Sequence, residues 1–110
     1  GIHTQWASFA QSEIEAYLWH NFQLDRNSPD ANSFARVKDL NRGIALSGLN
    51  VINDHLENSE YFGGSLFTLT DIVVGWTLNW ARRLKLMEEF PAIKAYLARL
   101  MSRPQCSLAK

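Results

Sequence analysis

In four segments between Trp6 and Leu100, apolar side chains return every three or four residues, and no segment alternates apolar with polar residues as a half-buried strand does. That period confines the chain to helices. Helices with apolar stripes must bury them against one another, so the expected fold class is all-α, a helical bundle of four to five helices. The 110 residues fill one domain, 1–110, and leave no room for a second. With 46% hydrophobic residues, the chain can bury a core without disulfides or metals.

The first helix is expected from about Thr4 to Phe22, with Trp6, Phe9, Ala10, Glu13, Ile14 and Tyr17 at helical steps and Leu18, Trp19 and Phe22 widening the arc. Leu24 to Asn32 contains Asp25, Arg26, Asn27, Ser28, Pro29 and Asp30, which is turn chemistry, and Asn32 or Ser33 can cap the next helix. That second helix, Phe34 to Leu56, carries Val37, Leu40, Ile44, Gly48 and Val51 on one stripe and Ala45, Leu49, Ile52 and Leu56 beside it. Gly43 and Gly48 each cost up to about 1 kcal/mol inside a helix, which usually marks a close neighbour or a bend. Asn58 to Phe67 reads as a loop around Gly63-Gly64.

The sharpest local signal is Phe67-Thr68-Leu69-Thr70-Asp71-Ile72. With Thr68 as N-cap, Asp71 stands at the third helical position and completes an Asp version of the capping box, flanked by Phe67 and Ile72 as a hydrophobic staple. Thr68 and Asp71 are therefore structural N-cap residues rather than catalytic ones. The helix they start is apolar all round as far as about Leu86, so it is expected to be central and buried. A last helix begins near Pro91, faces Ile93, Tyr96, Leu97 and Leu100 inward, and stops near Ser102-Arg103-Pro104, leaving Ser107 to Lys110 as a tail.

Eleven Lys and Arg balance eleven Asp and Glu, which argues against a general electrostatic grip on nucleic acid or an anionic membrane and is compatible with self-association. The lone Cys106 forms no internal disulfide and has no histidine near it in sequence to act as a base, so it is read as a bystander in a reducing, cytoplasmic setting. His3, His20 and His55 are too widely spaced for a metal site, and no metal is expected. No apolar run reaches the roughly 18 residues of a membrane span, and the N-terminus lacks signal-peptide character. Helix-like sequence already at Gln5 reads as a chain cut from something longer.

Tyr61-Phe62-Gly63-Gly64 followed by Phe67-Thr68-Leu69-Thr70-Asp71 resembles the pattern Tyr-Leu-x-Gly, Phe-(Ser/Thr)-x-Ala-Asp of glutathione transferases, which leads into the buried helix of their C-terminal domain. Phe90-Pro91-Ala92-Ile93-Lys94-Ala95-Tyr96, with Arg99 and Arg103-Pro104, resembles the family's ending, and Gln5-Trp6-Ala7-Ser8-Phe9-Ala10 with Glu13 its opening helix. The set is ordered and spans nearly the whole chain, closest in look to bacterial members; Thr70 stands where Ala is usual.

The resemblance implies the all-helical C-terminal domain of a glutathione transferase, lacking the thioredoxin-like N-terminal domain that holds most of the glutathione site and the catalytic residue. No catalytic residue is then expected here, and the chain alone should be inactive, with glutathione a co-substrate of the complete protein and no bound cofactor. By position, Ser8 and Glu15 are candidates for glutathione contacts, and Leu18, Trp19, Phe22, Val73, Thr77 and Trp80 for the walls of the hydrophobic co-substrate pocket. Plain core packing remains the alternative for Trp19, Phe22 and Trp80, and simple solvation for Glu15. A homodimer through the first two helices and a role in detoxification are also implied by the resemblance. The alternative is a non-catalytic interaction module of the kind found in translation-factor and aminoacyl-tRNA synthetase assemblies.

Overall fold

The computed structural model of the chain describes residues 2–27 and 34–103, with side chains from Gln5 onward. Helix α1 (Ile2–Ala10) runs without a break through a π-helical stretch (Gln11–Glu15) into α2 (Ala16–Asn27); beyond it lie α3 (Ala35–Leu56), α4 (Leu69–Arg83) and α5 (Pro91–Met101). The all-α expectation holds, as four rods of which the first is assembled from three segments. Among the described residues the one bridge of β type joins Tyr61 and Gly64, where Gly64 takes φ +112° and closes the loop ahead of α4.

The first rod outruns its expected end at Phe22 because residues with turn chemistry complete its last turn. The Asn27 amide donates to the Gln23 carbonyl (2.9 Å), and the Lys38 ammonium ties Asp25 to α3 (2.8 Å). Arg26 in that turn suits the negative end of the helix dipole. Asn32 and Ser33, expected as caps, lie outside the described residues, as do Ser28, Pro29, Asp30, Pro104, Cys106 and the tail. Helix α3 is entered instead from Phe34, in the left-handed region (φ 61°) and without a side-chain cap.

Of the two stripes on α3, the second is the core face: Ala45, Leu49, Ile52 and Leu56 are buried, joined by Gly48, whereas Val37, Leu40 and Val51 point outward. Gly48 is a true point of close approach. A Cβ there would lie 2.8 Å from Ile14 Cγ1 and 3.2 Å from the Glu13 carbonyl oxygen, so α3 presses directly on the π-helical stretch. Gly43, read the same way from sequence, has nothing within 4 Å, and nothing in the structure explains its place in a helix.

Both arms of the Thr68–Asp71 capping box are present at the start of α4. Asp71 does more than cap. Fully buried, its carboxylate accepts from the Thr68 amide (2.9 Å), the Phe62 amide (3.1 Å) and the Tyr96 hydroxyl (2.8 Å), joining the loop, α4 and α5 in one cluster. Burial, reinforced by the Asp71 carboxylate, pushes the Tyr96 phenol far above the ordinary tyrosine range. Helix α4 stops at Arg83, short of Leu86, because Lys85 turns left-handed (φ 63°) and the Leu86 amide bonds back to the Ala81 carbonyl (3.1 Å). Asn53 on α3 then lends α5 the cap that Phe90 lacks, its side-chain oxygen accepting from the Ile93 amide (3.1 Å).

One expectation for α4 fails. It is buried on one side only, through Val74, Leu78 and Ala81, while Leu69, Ile72 and Trp76 are 72%, 56% and 63% exposed. Apolar residues surround this helix, but the other described elements cover only one of its faces.

Candidate functional site

Where the first rod crosses α4, the Thr77 hydroxyl donates to the Glu15 carboxylate (2.9 Å), joining residues 62 apart in sequence. One turn further along both helices, the Trp19 and Trp80 rings meet edge to face at 6.3 Å. Contacts that advance in the same direction on both elements mean that the two helices run parallel. Trp19 also stacks on Phe22, with ring centroids 5.3 Å apart and planes inclined by 18°.

The seam opens at its far end into a groove of about 200 Å³. Leu18 and Phe22 of α2, Trp80 of α4, and Leu84 and Leu86 of the following turn give it apolar walls. Asn21, Asp25 and Arg42 complete the lining. Two of these three are already engaged. Asn21 donates to the Lys38 carbonyl (3.0 Å) and accepts from Asn41 (2.9 Å), and Asp25 holds the Lys38 ammonium. Arg42 is exposed and engages no carboxylate among the described residues.

Three of the expected wall residues, Leu18, Phe22 and Trp80, line this groove. Trp19 braces Phe22 and Trp80 from outside it, and Thr77 anchors Glu15 beneath it. Val73 is half-buried one turn before Thr77, away from the groove lining. Trp19 and Phe22 remain 49% and 45% exposed, so they are not plain core; Trp80 lines the groove and also packs on the core. Glu15 is half-buried and hydrogen-bonded, not simply solvated.

Ser8 stands exposed on α1, ahead of the π-helical stretch. The Ala16 amide bonds to the Gln11 carbonyl, a five-residue step that takes up one more residue than an α-turn. Residues before that stretch and residues at its end, Ser8 and Glu15 among them, therefore no longer follow one regular α-helical stripe.

Sequence reasoning missed Asn21, Asp25, Arg42 and Leu86 as lining residues. Leu84 could have been added from its place on the Val73–Thr77–Trp80 stripe. Arg42 carried no local signal, because its position depends on how α3 lies across α2. Of the histidines, His55 is half-buried, its Nε2 donating to the Phe62 carbonyl (3.1 Å) and its ring in contact with those of Trp6 and Phe62, and His20 accepts from Asn41 (2.7 Å). Among the described residues no group of three His, Cys, Asp or Glu is placed to hold a metal, and no helix is long and apolar enough to cross a membrane.

Residues 24–99 match the family "Glutathione S-transferase, C-terminal domain". The chain is similar to glutathione S-transferase 3 of Schizosaccharomyces pombe, at 26% identity over 94% of this chain and 48% of that protein. It is 36% identical to the disulfide-bond oxidoreductase YfcG of Escherichia coli, over 91% of this chain and 46% of the relative. Identity to glutathione transferase GST 23 of Zea mays is 29%, over 88% and 43% of the two chains. The chain thus spans about half the length of the curated relatives it matches. No solved structure matches it significantly. A family match over residues 24–99, on an all-helical bundle entered through the Thr68–Asp71 box, makes this chain a member of the glutathione S-transferase C-terminal domain family.

Proposed function

We propose that this chain is the co-substrate half of a glutathione transferase, in which the groove between α2 and α4 seats the apolar body of an electrophile. The observation that carries the reading is the aromatic corner of Trp19, Phe22 and Trp80 beside a groove walled by apolar side chains from α2, α4 and the turn after α4. Burying such walls against a ligand contributes roughly 25 cal/mol per Å² of apolar surface. The glutathione thiolate and its activating group belong to a thioredoxin-like half, which seats on the exposed Leu69, Ile72 and Trp76 face of α4. Glu15, its carboxylate oriented by Thr77, is the polar group offered to glutathione's ammonium, with Ser8 as a more distant contact. Val37, Leu40 and Val51 on the outer face of α3 are apolar surface available to a homodimer.

The test uses the complete protein: conjugation of glutathione to 1-chloro-2,4-dinitrobenzene, in the native sequence and with Trp80→Ala. The expected result is activity in the complete protein and none in the 110-residue chain, with W80A raising KM for the electrophile several-fold and leaving KM for glutathione unchanged. Activity of the isolated chain, or a W80A effect confined to glutathione, overturns it. Identity of 36% to a protein named disulfide-bond oxidoreductase favours a second reading, in which glutathione reduces a disulfide in this cleft. Turnover of 2-hydroxyethyl disulfide without conjugation selects that reading; neither activity selects an assembly module.

A further inference from the structure

We infer that the groove selects amphipathic anions: a single aromatic or aliphatic ring carrying a carboxylate, the ring between Phe22 and Trp80 and the carboxylate on Arg42. The inference rests on the proposed role of this groove as the co-substrate seat and adds the ligand's charge and size.

Charge is the first argument. Of the polar side chains that line the groove, Asn21 is held by Lys38 and Asn41, and the negative charge of Asp25 is offset by the Lys38 ammonium 2.8 Å away. Arg42 has no such partner among the described residues, so among them its guanidinium is the one lining charge that no neighbour offsets. A guanidinium offers a planar fork of donors that matches a carboxylate in two parallel hydrogen bonds, a geometry an ammonium cannot reproduce.

Size is the second. A dry cavity of about 150 Å³ accepts benzene, and drug-sized sites begin near 300 Å³. The 200 Å³ here therefore fits one ring with a short side chain. With apolar walls and a guanidinium in one lining, the ligand that satisfies both is an arylalkanoate. A neutral ring leaves the cation unanswered, and an arylalkylamine is repelled.

Binding can be read on the 110-residue chain itself, so no catalytic partner is needed. The probes are 3-phenylpropanoate, its isosteric amide and 3-phenylpropylamine, titrated while the indole N–H resonances of Trp80 and Trp19 are followed by ¹⁵N NMR. The carboxylate is expected to bind about three- to tenfold more tightly than the amide, as for a partly exposed but bidentate ion pair, with the amine weakest. Arg42→Gln should bring the carboxylate down to the amide's affinity and leave the amide unchanged; Arg42→Lys should restore part of the difference. Arg42 is exposed, so neither variant is expected to disturb folding. Equal binding of carboxylate and amide, or a preference that survives R42Q, overturns the inference and leaves the groove as a neutral co-substrate seat. If no probe shifts Trp80, the groove reading falls and takes the inference with it.

Discussion

Asp71 gathers four hydrogen bonds around one buried carboxylate, from three parts of the chain: the amide and hydroxyl of the cap at Thr68, the loop at Phe62 and the last helix at Tyr96. Removing one partner of a buried cluster leaves the others unsatisfied, which costs more than the lost bond. Asp71→Ala strands two amides and a phenol at once and should lower stability by about 3–5 kcal/mol in urea denaturation, a large share of what a small domain has. Tyr96→Phe removes one donor and should cost about 1–2 kcal/mol. The two variants should also differ in pH dependence. Because the folded phenol ionises well above the usual range, the unfolded chain loses its Tyr96 proton first as pH rises past about 10. The stabilisation is complete below that pH and lost above it, so wild-type stability should fall above about pH 10, and Y96F should remove that part of the slope. A Y96F curve as steep as wild type would show that Tyr96 does not titrate this way. The cap half of the cluster was readable from the short sequence spacing of Thr68 and Asp71, because capping is local chemistry. The Tyr96 half was not: nothing short of the fold shows that an inward tyrosine 25 residues later ends on the same carboxylate.

The elements were legible wherever an α-period continued undisturbed. Helices α3 and α5 lie within a residue or two of the ranges read from their apolar steps, and Pro91 marks the first position of α5. Legibility failed where another element imposed the geometry. The π-helical stretch at Gln11–Glu15 adds a residue to one turn of an otherwise regular helix, and no residue type there announces it. Its counterpart is Gly48, the point at which α3 comes closest to that stretch. Two alanine substitutions separate packing from propensity. Gly43→Ala meets nothing and should stabilise by up to about 1 kcal/mol from helix propensity alone. Gly48→Ala gains the same propensity but drives a methyl to 2.8 Å from buried Ile14 and toward a backbone oxygen, neither of which can easily retreat. It should destabilise by a net of about 1–2 kcal/mol. Thermal unfolding of the pair checks this; shifts of the same sign would mean that the α3 contact at Gly48 is softer than its geometry implies.

The molecule as a whole leaves one apolar face of α4 uncovered among the described residues. Its core is closed on one side of α4, where Val74, Leu78 and Ala81 meet the other helices, and open on the other, where Leu69, Ile72 and Trp76 stand in water. From sequence this helix reads as buried on every side, and that reading is faithful to its composition: the apolar residues are present, but the other described elements cover only one face. Large exposed apolar patches are uncommon on monomers and mark docking surfaces or drive association. The zero net charge adds no long-range repulsion against it. The 110-residue chain should therefore associate reversibly as its concentration rises, and sedimentation velocity should show the weight-average mass climbing. A double substitution, Ile72→Glu and Trp76→Glu, places two carboxylates on the exposed face without touching a buried residue. It should keep the helical circular dichroism signal and return the chain to monomer. The same pair in the complete protein should weaken the hold between its halves and lower conjugation activity, since the apolar seat proposed for the thioredoxin-like domain would be charged. Association undiminished by the double substitution would move the sticky surface elsewhere, to Val37, Leu40 and Val51 on α3, and Leu40→Glu would then be the variant that yields monomer.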